Sequence, residues 1–183
     1  PQQPVVGVRT RSPIRRRMRS SAAVPPRTAF WWQWPCRSAS RSMGGGSQPG
    51  VTPVYAAYDG YLTRLPDWKS SVIIRVPRDP LHPGQQIWTY YTHMADQRGN
   101  SLIDAQFPPG TSEIFVPAGT LLGYQGNYSG DPGSPVGIHL HFSIVRDDGQ
   151  GRFTDERLIA NTLDPSPYFG MELNAAGGAY HCG

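Results

Sequence analysis

Along residues 138–145 (IHLHFSIV) apolar and polar side chains alternate: Ile138, Leu140, Phe142 and Ile144 fall on one face of an extended chain, and His139, His141 and Ser143 on the other. This predicts a strand with one face in a core, and the opposite face is histidine. Short β-branched or aromatic runs occupy residues 53–57 (PVYAA), 60–64 (GYLTR), 71–76 (SVIIRV) and 86–93 (QIWTYYTH), parted by turn formers such as Asp59-Gly60 and His82-Pro83-Gly84. They read as successive antiparallel strands. A Gly- and Pro-rich loop over 96–112 precedes two more strand candidates, 113–116 and 120–125 (TLLGYQ), with Pro117-Ala118-Gly119 turning between them. Residues 127–137 form a long loop, residues 155–160 a short helix, and residues 163–169 (LDPSPYF) a chain end that packs its aromatics back on the sheet. The expectation is an all-β domain of antiparallel strands.

Composition supports this picture and divides the chain. With 21 Gly and 19 Pro among 183 residues, many short strands joined by turns are favoured over a helical bundle. A hydrophobic fraction of 38% suffices for a core, which excludes disorder of the whole chain. No apolar run approaches the roughly 20 residues of a membrane-spanning helix. The formal net charge of +4 describes neither half: residues 1–50 hold nine Arg and no Lys, Asp, Glu or His, whereas residues 51–183 hold 8 basic and 13 acidic residues. Three organisational units follow: an Arg/Ser/Pro-rich irregular segment over 1–50, a β domain over 51–170, and a tail over 171–183. Cys36 and Cys182 are too few for a disulfide framework and form no spaced metal motif.

The first unit admits three readings: a solvated basic tail, a single-stranded nucleic-acid binder through interleaved Arg and Trp, or a stretch translated out of frame from GC-rich DNA. No apolar h-region follows its Arg-rich start, so no signal peptide is read there.

The chemistry centres on the histidines. His139 and His141, two residues apart on a strand, place their imidazoles about 7 Å apart on one face, within reach of one bound ion and its water. Two solvent-facing histidines are the plainer alternative. Tyr61, Tyr90, Tyr91 and Tyr128 are available to line a groove or to pack. His82, in a His-Pro-Gly turn, and His181, beside Cys182, could each donate a nitrogen, but neither has supporting spacing.

Order and context add a resemblance. TPVYAAYDGYL, YYTHMAD, PAGTLLGYQG and GIHLHFSI, met in that order over about residues 51–169, resemble the lysostaphin and LytM-like zinc endopeptidases that cut the peptide cross-links of bacterial peptidoglycan. The resemblance implies an antiparallel β-sheet sandwich, of the barrel-sandwich hybrid type, with a groove over the sheet. It implies Zn²⁺ as cofactor with His141 as a metal ligand, and His93 and His139 as catalytic histidines that orient water and stabilise the tetrahedral intermediate. It also implies peptidoglycan stems or cross-bridges as partners and an extracellular or cell-envelope location. Bound zinc would bring its water to a pKa of about 7 and polarise the scissile carbonyl.

One part of the family pattern is missing. Its two further zinc ligands, a His and an Asp four residues later, belong just before TPVYAA, where residues 40–50 read SRSMGGGSQPG. One protein donor does not make a tetrahedral catalytic zinc site, which commonly uses three. Asp59 is the nearest carboxylate, in an Asp-Gly turn where its ordinary role is structural. The chain therefore reads either as a metallopeptidase-like domain with impaired hydrolysis or as a wall-binding or regulatory module of the same fold, with nucleic-acid binding confined to residues 1–50.

Overall fold

Alternation along the strands decides where the core lies. In a computed structural model, which describes residues 48–170, Ile87, Thr89 and Tyr91 of β4 (Ile87–Thr92) point into one buried cluster, and Trp88 and Tyr90 stand on the opposite face. β3 (Val72–Val76) and β7 (His141–Arg146) repeat the division: Val72, Ile74, Val76, Phe142 and Ile144 enter the main core, and Ile73 and Val145 the second face. These strands join β2 (Gly60–Thr63), β5 (Ile114–Val116) and β8 (Thr162–Leu163) in a six-stranded antiparallel sheet of order β5-β2-β3-β4-β7-β8. A second, two-stranded sheet pairs β1 (Pro53–Tyr55) with β6 (Leu121–Tyr124), and its Val54 and Leu122 belong to the same main core. The described domain is thus all-β and antiparallel, with two layers over one core.

Residues 53–57 and 60–64, read as successive antiparallel strands, do not pair with each other. β1 pairs with β6, and β2 pairs with β3 and β5. The reason lies at two corners. Asp59 accepts a hydrogen bond from the Ala118 N–H at 2.7 Å, and Ala56 exchanges backbone bonds with Thr120 and Gly119. These bonds tie the 56–59 bend to the 117–120 bend, so an antiparallel ribbon, β1-β2 against β5-β6, folds across both sheets. Gly60 permits the close approach of this chain to β3, because a Cβ there would meet the Arg75 carbonyl oxygen at 2.4 Å. Asp59 has the structural role its turn suggested.

Two further readings change. The helix expected over 155–160 is a turn followed by one 3₁₀ turn, Ile159–Asn161; the Asp155 carboxylate accepts from the Arg157 N–H and pairs with the Arg157 guanidinium within that turn. The strand expected from residue 138 enters the sheet only at His141, because His139 is drawn into a bridge with Gly126. At the chain end, the short helix α1 (Ser166–Phe169) lays Tyr168 and Phe169 against the main core. Tyr168 donates a hydrogen bond to Asp79, which is 1% exposed and also accepts from the Leu81 N–H. His82 bonds the same carboxylate at 3.1 Å, away from the other histidines of the domain. His181, Cys36, Cys182 and nearly all of the 1–50 and 171–183 units lie outside the described residues.

Candidate active-site cleft

The second face of the large sheet is apolar at one end, where Ile73, Trp88 and Val145 pack with Trp68 and Phe153, and polar at the other. Strand geometry sets the polar end: Thr92 is the cross-strand partner of His141, and Tyr90 that of Ser143. Ser71, one residue before β3, bonds Thr92 through their hydroxyls at 2.6 Å and approaches the Tyr90 hydroxyl at 3.3 Å. With Tyr128, Glu156 and Arg157 contributed by loops, Ser71, Tyr90, Thr92 and His141 line a cleft of about 330 Å³.

His93 and His141 line this cleft, and His139 stands beside His93. His93 follows β4 with φ +68°, a left-handed backbone uncommon for any residue with a Cβ. That bend turns the chain away from β7, and it lets the His93 Nδ1 bond the Tyr128 carbonyl at 2.6 Å. His139 bonds the Gly137 carbonyl through Nδ1, also at 2.6 Å. A carbonyl can only accept, so both Nδ1 atoms carry a proton, and in the neutral ring that leaves Nε2 with a bare lone pair. The His93 ring centroid lies 4.6 Å from that of His139 and 6.0 Å from that of His141. His141 instead directs Nε2 to the Ser143 hydroxyl at 3.1 Å, with Tyr90 edge-on to its ring.

One glycine locks the frame. The Gly126 carbonyl accepts from the His139 N–H, while Asn127 and Tyr128 donate to the Ala95 carbonyl. A Cβ on Gly126 would sit 1.9 Å from the Ala95 oxygen and 2.6 Å from the His93 oxygen. Only glycine allows the 126–128 segment to lie so close to residues 93–95.

The environment disfavours the charged form of His93 and His141. Burial, with His93 and His139 alongside, brings the His141 imidazole down to about 4. Burial also lowers His93; the adjacent His139 adds to this, and the bond to Tyr128 only partly opposes it. Neutral imidazole is the form that accepts protons and ligates metals.

Zinc fits less well. Among the described residues no group of three or more His, Cys, Asp or Glu side chains is arranged to hold a metal ion. Among the described residues no carboxylate joins the three imidazoles, and the His141 Nε2 is directed to the Ser143 hydroxyl. The donors among the described residues do not complete a tetrahedral zinc centre.

The sequence expectation brought His93, His139 and His141 to attention, and the structure places the three side by side. Of the four tyrosines, Tyr90 and Tyr128 line the cleft. Tyr61 packs on Phe115 beneath the Arg75 guanidinium, and Tyr91 is fully buried, its hydroxyl accepting from the Ala57 N–H. Ser71, Thr92, Glu156 and Arg157 were not anticipated. The Ser70-Ser71 pair ahead of VIIRV was the available signal for the hydroxyl floor; residues 156 and 157 fell within the expected 155–160 helix and carried no signal of their own.

Neither a family model nor a curated protein matches the chain. Among solved structures it is similar to the catalytic domain of the antimicrobial peptidase lysostaphin from Staphylococcus simulans, with a TM-score of 0.41 and 18% identity over 70% of this chain and 85% of that one. It is also similar to a longer structure of lysostaphin from the same organism, with a TM-score of 0.39 and 18% identity over 78% of this chain and 55% of that one. The chain thus spans about half the length of that longer relative. Among the described residues no helix is long and apolar enough to cross a membrane.

Proposed function

We propose that this chain carries a site of the cell-wall metalloendopeptidase type. In this reading its cleft takes the peptide stems or cross-bridges of bacterial peptidoglycan, outside the cell or in its envelope. The observation that supports the reading is the gathering of His93, His139 and His141 at a polar cleft, two of them with Nδ1 fixed and Nε2 free. An extended peptide laid along the sheet face would meet backbone and hydroxyl groups of the cleft floor. Each free Nε2 could take a proton from a bound water and, once protonated, hydrogen-bond a developing oxyanion. His141 would be the single metal donor. Because the other two donors of the family pattern are missing from residues 40–50, peptide binding with little turnover is the activity that fits this chain.

Co-sedimentation with insoluble peptidoglycan, with and without added zinc, tests the reading. The protein should pellet with the polymer, and release of new amino groups should stay near the blank. His93→Ala together with His139→Ala should weaken retention about tenfold, the loss of two hydrogen-bonding groups at ~0.7 kcal/mol each. Protein that stays in the supernatant would overturn the proposal. Amine release that rises with zinc and disappears in His141→Ala would replace low turnover with a working peptidase.

A further inference from the structure

We infer that Glu156 makes the cleft selective for peptides that carry a primary ammonium group. The inference rests on the cleft being a peptide site and adds what kind of peptide it takes.

Charge around the cleft is unevenly compensated. Arg157, at the rim, directs Nε and Nη2 to the two carboxylate oxygens of Asp155, both at 2.9 Å, so its fork is occupied within its own turn. The floor offers the hydroxyls of Ser71 and Thr92, which are uncharged. Glu156 lines the same cleft and is partly buried, yet among the described residues it makes no hydrogen bond or ion pair. Asp155 and Glu156 both act on the Arg157 charge, so the three together leave one net negative charge at the rim of the cleft.

A carboxylate has only acceptors, so a neutral amide satisfies it weakly and a cation satisfies it best. A primary ammonium adds a geometric fit, since its three donors can reach the carboxylate and still leave one for a floor hydroxyl. A carboxylate-bearing group would be repelled there. In a peptide the ammonium has two sources, a free α-amine or the side chain of a diamino acid.

NMR titration with three synthetic probes separates the sources: a capped pentapeptide of glycines with a central lysine, the same peptide with norleucine in place of lysine, and the norleucine peptide with a free amino terminus. One of the two ammonium peptides should bind about fivefold more tightly than the capped norleucine peptide, the upper range for a partly exposed ion pair. Raising salt from about 50 mM to about 500 mM should shrink that margin and leave norleucine binding in place. Glu156→Gln should abolish the preference. Asp155→Asn, which frees Arg157 to pair with Glu156, should reduce it by a second route. A margin below about twofold in the unmodified protein, or one that survives both substitutions, overturns the role of Glu156 while the peptide cleft stands. If no probe binds and peptidoglycan is not retained either, the peptide reading falls and this inference falls with it.

Discussion

Replacing Gly126 by alanine should damage both the stability of the domain and the histidine cluster. The added Cβ would lie 1.9 Å from the Ala95 carbonyl oxygen and 2.6 Å from the Ala95 carbonyl carbon and the His93 oxygen, all of them backbone atoms that cannot rotate aside. Relief requires the 126–128 segment to move by about 1 Å, at the upper end of the 1–3 kcal/mol range for overpacking. The same movement stretches the bonds from Asn127 and Tyr128 to Ala95, at 2.9 and 3.2 Å, and the His139 N–H bond to Gly126 at 3.2 Å. We expect a loss of about 3 kcal/mol, read as a fall in Tm of roughly 10 °C in thermal unfolding by circular dichroism. Gly137→Ala is the control, because a Cβ there meets nothing within 4 Å and its φ is not in the left-handed region. It should leave Tm within about 2 °C of the parent. A Gly126→Ala protein as stable as this control, with unchanged histidine ring resonances, would refute the idea that this close approach fixes the cluster.

Three other substitutions probe separate links. Hydrogen bonds from Leu81, His82 and Tyr168 outweigh the opposing effect of burial and hold the Asp79 carboxyl below its ordinary value. Its stabilisation is therefore present above the unfolded-chain value and lost as pH falls through the folded one. Asp79→Asn should cost about 2 kcal/mol at neutral pH in urea unfolding, with the gap closing below about pH 4. His93→Gly should be more stable than His93→Ala by about 1 kcal/mol in the same assay, because glycine accepts φ +68° without strain. Tyr91→Phe removes the acceptor of the Ala57 N–H and should cost about 1–2 kcal/mol, with no effect on peptidoglycan retention.

The strands were legible because each carries its own signature. Alternation in IHLHFSIV separates Phe142 and Ile144 from His141 and Ser143, and the structure buries the first pair in the main core and sets the second on the cleft side. Pairing was less legible. β1 joins β6 through the contacts of Asp59 with Ala118 and of Ala56 with Thr120, which unite residues distant in sequence, and no local period encodes them. For the same reason His139 left the strand: its N–H is claimed by Gly126, a residue whose importance lies in space it leaves empty. His93 was identified through its motif, and its left-handed backbone was invisible to any pattern of apolar positions. Glu156 and Arg157 escaped notice because charged residues in a loop carry no period, and their meaning depends on which partner each has found.

The ribbon that folds across both sheets also bears on how the chain reaches this state. Pro53 aligns with Tyr124 and Gly60 with Val116, so the whole segment carrying β3, β4 and His93 lies inside the loop that this ribbon closes. Loop-closure entropy is lost before those pairings return any stabilisation, which places the domain among slow folders, on a scale of milliseconds to seconds. Once closed, the ribbon ties the edge of one sheet to the whole of the other, and neither layer can open without breaking the corner. Unfolding should then be all-or-none, with β1 as protected from hydrogen exchange as the central strands despite its three residues.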